Sequence, residues 1–154
     1  MDDQRYNEKW ATITWEKSSM RSWINGYKAS ENQSEIDYSN KNFIDTAFST
    51  AQKNAIKTTK VENRNNIHYG SAGQGGNDTS DKIFLLSERE VYNTDDAKKY
   101  GFVLDGEVYD EARRCKCSTY AYAMGTWRNI EDSECNGNAL WFLRSPGGSC
   151  YGDV

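Results

Sequence analysis

The stretch Ala139-Leu140-Trp141-Phe142-Leu143-Arg144-Ser145-Pro146-Gly147-Gly148 is the densest apolar run in a polar chain of 154 residues. Turn-forming residues lie on both sides of its apolar part, and the stretch holds the only proline of the chain. Five consecutive apolar residues between such boundaries predict a strand that is buried on both faces. Trp141 and Leu143 would then point to one side of the strand, and Leu140 and Phe142 to the other.

Arg144 ends this predicted strand, at a position where an unpaired charge is costly. We therefore expect its guanidinium to bond either a carboxylate or backbone carbonyls. The alternative is an arginine whose stem packs against the core while its head reaches water. Structural roles are predicted for four residues in all: Trp23, Trp141, Leu143 and Arg144.

Local start and stop signals predict a first helix over residues 18–25. Ser18 or Ser19 is a typical N-cap, and Gly26 is typical of the position where a helix ends. Three large apolar residues share one face of this helix and are expected to pack into the core: Met20, Trp23 and Ile24.

Further short helices and two strands follow. A helix is predicted over residues 41–48, and capping-box patterns begin helices at Ser49 and Ser87. Ser118 caps a last helix, which Gly125 stops. Strand patterns cover residues 58–62 and the apolar run 82–86. This mixed order of short elements predicts an α+β fold rather than alternating βαβ units.

The segment Trp-Phe-Leu-Arg-Ser-Pro-Gly-Gly at 141–148 resembles the Trp-Leu-Arg-Ser-Pro-Gly signature of an uncharacterised bacterial domain. That domain is common in gut Firmicutes and their mobile elements, and it is similar to the C-type-lectin-like fold. Further segments resemble the family in the same order, at residues 14–25, 42–56, 82–87 and 114–125. The resemblance spans about residues 13 to 148.

The chain also departs from that family. The strands that usually precede its first helix are missing, as is its usual final strand reading Gly-Val-Arg-Pro-Ala-Leu. The resemblance therefore implies one C-type-lectin-like domain over residues 1–154, in a shortened or fragmentary form. In this α+β fold, short helices would pack on a small mixed or antiparallel sheet that lacks the usual terminal strands.

Charge and hydropathy limit the classes of partner. The formal net charge of −4 argues against nucleic-acid binding, which needs a basic face. No apolar run approaches the roughly 18 residues of a membrane span. The start Met1-Asp2-Asp3-Gln4 lacks the basic and apolar regions of a signal peptide. A cytoplasmic protein and a component of a phage or cell-surface assembly both remain open.

Residues 63–81 form a long polar loop with many side-chain oxygen atoms. Such oxygens suit Ca²⁺, but Asn and Asp also form turns, and we expect turns here and no bound metal or cofactor. The oxygen-bearing side chains of this loop include Asn63, Asn65, Asn66, Asn77, Asp78 and Asp81.

Catalytic chemistry finds little support in the sequence. His68 is the only histidine, and it lies in the polar loop without a cysteine placed beside it by a capped helix. We therefore expect no catalytic residue. The four cysteines are compatible with reduced thiols, one or two disulfides, or a metal site, and they are Cys115, Cys117, Cys135 and Cys150.

Binding is the function that we expect. Rigid aromatic residues beside Ser, Gly and Asn make good contact surfaces, and loops on a rigid scaffold carry function. The segment 147–153, which follows the central apolar run, has this composition. The predicted binding residues for a glycan or protein ligand are Tyr69, Trp127, Ser149, Tyr151 and Asp153.

The resemblance implies one form of this binding function, since some proteins of the lectin-like fold are the variable proteins of diversity-generating retroelements, which display loops for recognition. Two alternatives to binding stay open. Formylglycine-generating enzymes share the broad fold and use cysteines, which would make this chain a sulfatase-modifying type of enzyme. The other alternative is a structural domain of a larger surface or phage protein.

Overall fold

The computed structural model describes residues 5–66, 69, 73–93, 100–102, 111–130 and 136–147. Their contacts divide the chain into two units. The N-terminal unit consists of described residues within 5–85 together with 144–147, and the central unit of described residues within 86–143. The single domain predicted over residues 1–154 stays a prediction.

The first helix of the N-terminal unit, α1, spans Ser19–Asn25. The Ser18 hydroxyl accepts a hydrogen bond from the Arg21 amide at 3.1 Å, so it satisfies one of the free N–H groups at the helix start. Gly26 ends the helix in the left-handed region, at φ 72°. A Cβ atom there would lie 2.9 Å from Asn42 Nδ2. The predicted helix, with both of its ends, is confirmed.

Two more helices follow, α2 over Phe43–Ala47 and α3 over Thr50–Ala55. The Phe43 ring lies 5.6 Å from the Trp23 ring of α1. The predicted capping box of Ser49 and Gln52 is present in both directions. Ala51 and Ala55 of α3 are both exposed.

The sheet has two antiparallel strands, β1 over Thr59–Val61 and β2 over Thr79–Asp81. Val61 lies opposite Thr79, and Thr59 opposite Asp81. The first strand was predicted. The second lies immediately before residues 82–86, which the sequence predicted to be the buried strand.

Residues 82–86 are not a strand because side chains satisfy much of their backbone. Asn25 Oδ1 accepts from the amides of Lys82 and Ile83, at 3.2 and 3.0 Å. Asn25 Nδ2 donates to the Ile83 carbonyl at 2.8 Å. The side chain at the end of α1 therefore takes the place of a neighbouring strand.

Asp81 is the polar centre of the N-terminal unit and is fully buried. The Arg21 Nε–H donates to its carboxylate at 2.9 Å, and the fully buried Trp15 donates from Nε1 at 3.0 Å. Tyr27 Oη and Thr79 Oγ1 donate at 3.0 and 2.7 Å. Four donors thus compensate the burial of this charge.

Arg144 returns the chain to the N-terminal unit and is buried there. Its Nη1 donates to the Leu85 carbonyl at 2.7 Å and its Nη2 to the Glu62 carbonyl at 3.3 Å. Tyr6 Oη donates to the Arg144 carbonyl at 3.1 Å. Of the two kinds of partner expected from the sequence, backbone carbonyls are therefore present.

The central unit is built from shorter pieces. A π-helix spans Arg89–Asn93, a 3₁₀-helix spans Glu111–Arg113, and α4 spans Thr119–Ala123. The predicted reciprocal pair of Ser87 and Glu90 is present before the π-helix. Ser118 caps α4, as predicted, by accepting from the Ala121 amide at 3.0 Å.

The apolar run at 139–143 is not the strand that the sequence predicted. Its contribution to pairing is one isolated bridge between Arg128 and Ala139. Leu140 is 58 % exposed, and Trp141 and Leu143 are half-buried rather than buried. Trp141 is held instead by its indole N–H, which donates to the Arg113 carbonyl at 3.0 Å.

The described residues combine short helices with a two-stranded antiparallel sheet, which confirms the α+β class. The C-type-lectin-like topology stays a prediction. Within the described ranges, no helix is both long and apolar enough to cross a membrane.

Candidate functional site

The candidate site lies in the central unit, where the chain turns back after α4. The turn passes through Gly125, at φ 100°, and the Thr126 amide donates to the Ala121 carbonyl at 3.0 Å. A second contact holds the returning segment, because the Asn129 amide donates to the Asn138 carbonyl at 2.8 Å. The segment 126–130 is therefore anchored at both ends.

An open cleft of about 720 Å³ lies along this segment. That volume falls within the range of small-molecule sites, roughly 300–1,000 Å³. It is lined by residues from α4 and from the returning segment: Tyr122, Gly125, Thr126, Trp127, Arg128, Asn129 and Ile130.

The apolar side chains of the cleft are unusually accessible. Trp127 is 59 % exposed, Tyr122 is 48 % exposed and Ile130 is 66 % exposed. Large apolar side chains in water carry a free-energy cost that a bound ligand would recover. The cleft therefore offers aromatic surface for contact with a ligand.

Arg128 supplies the cleft with a positive charge in a fixed position. Its guanidinium carbon lies 3.7 Å from the centre of the Tyr122 ring, which is a close cation–π contact. Its Nε is buried and has no hydrogen-bond partner within the described residues. Both polar side-chain atoms of the neighbouring Asn138 are in the same condition. Buried polar groups of this kind usually have a partner, such as water or a ligand.

The structure places only one of the predicted binding residues in this cleft, namely Trp127. Tyr69 is exposed but belongs to the N-terminal unit. Ser149, Tyr151 and Asp153 lie outside the described residues. Of the predicted structural residues, Trp23 packs against Phe43, while Arg144 and Trp141 make the hydrogen bonds given above.

Sequence reasoning missed Tyr122 and Arg128 as site residues. Their six-residue separation is not a helical spacing, because the turn at Gly125 lies between them. The sequence did contain a signal for this pair, namely an aromatic residue shortly before a glycine turn and an arginine shortly after it.

Several polar side chains of the loop take part in hydrogen bonds within the chain, whereas Asn63 Oδ1 is buried without a hydrogen-bond partner among the described residues. Asp78 accepts from the Asn63 amide at 3.1 Å, and its carboxylate lies 3.0 Å from Lys60 Nζ. This environment lowers the pKa of Asp78. Asn65 accepts from the Gly75 amide and Asn66 donates to the Pro146 carbonyl. These contacts are typical of an amide-rich loop held in turns.

Two of the four thiols belong to the described residues. Cys115 is exposed and Cys117 is half-buried, and both are free. Cys135, Cys150 and His68 lie outside the described residues. Among the described residues, no three His, Cys, Asp or Glu side chains form a group that could hold a metal ion.

Comparison with known proteins adds a family to this geometry. No curated protein and no solved structure matches the chain. One family model covers residues 1–154, and its description is a domain of unknown function, DUF6273. An uncharacterised domain family was expected from the sequence, and the chain belongs to the DUF6273 family.

Proposed function

We propose that this chain is a non-catalytic recognition module that binds a glycan in the cleft of the central unit. The observation that carries the proposal is the pair of exposed aromatic rings, Trp127 and Tyr122, beside a stacked arginine. One face of a sugar ring presents C–H groups and is apolar, whereas its rim carries hydroxyls. An exposed ring next to the polar side chains of Thr126 and Asn129 matches both properties.

The size of the site favours a glycan over a protein surface. A standard protein–protein interface buries roughly 800 Å² on each partner and is built from about 20–30 residues. The cleft is lined by seven residues that are nearly contiguous in the chain. Such a site can hold a few sugar rings, or the end of a longer glycan.

The distribution of exposed apolar side chains supports a binding surface on the central unit. Of eleven large exposed apolar residues in the described part of the chain, eight belong to this unit. Surfaces of this kind are associated with binding. The eight are Tyr92, Tyr100, Tyr120, Tyr122, Met124, Trp127, Ile130 and Leu140.

The proposal includes the lectin-like fold and its use in display. In that fold, loops that a rigid scaffold positions would carry the binding residues. Ser149, Tyr151 and Asp153 stay predicted binding residues, and they would be the substituted positions if the chain is a variable protein of a diversity-generating retroelement.

The test compares two exposed tryptophans by glycan array, followed by titration of the strongest glycan that is bound. Trp127→Ala should weaken binding at least tenfold, as expected for an aromatic hot spot. Trp10→Ala is the matched control, because Trp10 is 79 % exposed and belongs to the N-terminal unit. Both variants should keep the melting temperature within a few degrees.

Two results would count against the proposal. One is a chain that binds no glycan on the array. The other is glycan binding that Trp127→Ala leaves unchanged, which would place the site elsewhere. Capture of a purified protein ligand through Trp127, with no glycan bound, would favour a protein-binding module instead.

A further inference from the structure

We infer that the glycan bound in this cleft carries a carboxylate, and that Arg128 holds it. This inference rests on the proposed function and names the class of its ligand. Arg128 is the only charged residue among the seven described residues that line the cleft. These seven residues therefore carry a net positive charge, although the whole chain has a formal charge of −4.

The position of the guanidinium is fixed before any ligand arrives. The guanidinium carbon lies 3.7 Å from the centre of the Tyr122 ring. The backbone of Arg128 also forms an isolated β-bridge with Ala139. A pre-positioned side chain loses little conformational freedom on binding. Arg128 can therefore contribute to affinity more effectively than a mobile surface arginine.

Within the described residues, the side chain of Arg128 makes no hydrogen bond and no ion pair, in contrast to other arginines of the chain. Arg21 is paired with Asp81, Arg64 with Glu62, and Arg144 with two carbonyls. Apart from the Tyr122 ring, the described chain thus gives the charge of Arg128 no compensation. An anionic ligand would supply it.

A carboxylate fits one guanidinium better than other common anions do. Its two oxygens lie in one plane and match two parallel N–H groups of arginine. Sulfate and phosphate groups present three oxygens, and this cleft offers a single cation for them. In a uronic or sialic acid, the carboxylate is attached to the sugar ring, so the ring can stack on Trp127 while the carboxylate reaches the adjacent Arg128.

The experiment uses the full chain on an array of uronic-acid and sialic-acid saccharides. Each is printed beside its methyl ester, which keeps the ring and removes the charge, and beside a sulfated neutral saccharide. The wild-type chain should bind at least one acid about tenfold more tightly than its ester, as expected for a charge-assisted hydrogen bond. This preference should shrink as the salt concentration rises.

Arg128→Gln should remove the preference for the acid, so that the acid and its ester bind with about equal affinity. Arg64→Gln is the matched control, since Arg64 is an exposed arginine of the N-terminal unit, and it should preserve the preference. Trp127→Ala should weaken binding of acid and ester alike. Thermal melting of each variant verifies that it folds.

The outcomes separate this inference from the proposed function. Equal binding of acids and esters, with both sensitive to Trp127→Ala, would overturn the carboxylate and leave the glycan site standing. A preference for acids that survives Arg128→Gln would overturn the role of Arg128. Stronger binding of the sulfated saccharide would overturn the carboxylate as the ligand group. If no saccharide binds, the inference and the proposed function are both wrong.

Discussion

Asp81 shows how one buried charge organises the N-terminal unit. Its partners Trp15 and Arg21 lie 66 and 60 positions away in the chain, so the carboxylate joins the first helix to the second strand. Taking a carboxylate and a guanidinium out of water costs several kcal/mol per ion. The buried ion pair is therefore stable only while the Asp81 carboxylate accepts hydrogen bonds from its donors.

Asp81→Asn should therefore destabilise the protein strongly. The substitution retains the shape of the side chain but removes the buried counter-charge of Arg21. The remaining carboxylate near Arg21, that of Glu31, is half-exposed and lies 4.0 Å away. Removal of one partner of a buried ion pair typically costs about 3–5 kcal/mol. Urea denaturation measures the change in the free energy of unfolding.

Asp78→Asn is the control for this prediction. Asp78 forms an exposed ion pair with Lys60, and exposed pairs contribute about 0–1 kcal/mol. Equal losses of stability for Asp78→Asn and Asp81→Asn would contradict the central role of Asp81.

The sequence predicted Arg144 better than it predicted Asp81. Arg144 ends an apolar run, so the cost of its burial was visible in the local sequence. Asp81 was interpreted as one of several oxygen-bearing residues in a polar loop. Its distinguishing feature is contact with Trp15 and Arg21, and a contact over such a distance leaves no local pattern. The sequence also indicated Trp127 as a binding residue, but the Arg128–Tyr122 contact was missed because the turn at Gly125 interrupts the helical spacing between these two residues.

At the scale of elements, the capped helices were the most predictable part of the fold. The caps at Ser18, Ser49 and Ser118 were all predicted, because a cap depends on residues within one helical turn. The predictions of strands at residues 82–86 and 139–143 were wrong. A strand needs a partner, and in these segments side chains or isolated bridges satisfy the backbone instead.

Two of these caps should differ in strength because they differ in burial. Ser49 is exposed, so Ser49→Ala should cost about 1 kcal/mol. Ser18 is fully buried and also donates to the Trp15 carbonyl at 3.0 Å. Ser18→Ala removes the acceptor of the buried Arg21 amide and should cost about 2–3 kcal/mol.

A serine that caps no helix serves as the control for these two substitutions. Ser30 is exposed and lies inside the 3₁₀-helix at Ala29–Glu31, so Ser30→Ala should change stability by less than about 0.5 kcal/mol. Urea denaturation of the three variants gives the ranking. A loss for Ser49→Ala as large as that for Ser18→Ala would show that burial does not determine the strength of these caps.

At the scale of the whole molecule, two tyrosines with raised pKa values make the free energy of unfolding depend on pH. Burial raises the pKa of Tyr6 well above its ordinary value, although the nearby Arg144 opposes the shift. Burial, followed by the negative charge of Asp81, raises the pKa of Tyr27 to about 12. Both hydroxyls also donate hydrogen bonds, Tyr6 to the Arg144 carbonyl and Tyr27 to Asp81.

The sign of the effect follows from the proton balance. Between pH 10, the ordinary tyrosine pKa, and about pH 12, the raised value of Tyr27, the unfolded chain loses tyrosine protons that the folded chain keeps. The folded state binds more protons in this window, so the free energy of unfolding falls as pH rises. The stabilisation is complete below pH 10 and is lost as the pH passes the folded pKa.

We therefore expect the urea midpoint of the wild-type protein to fall steadily between pH 10 and pH 12. The double variant Tyr6→Phe/Tyr27→Phe should start from a lower midpoint, because two hydrogen bonds are lost, but its midpoint should fall less steeply over the same range. Tyr100→Phe, at a tyrosine that is 55 % exposed, should keep the wild-type slope. If the double variant and the wild type lost stability in parallel, groups other than these two tyrosines would govern the alkaline unfolding.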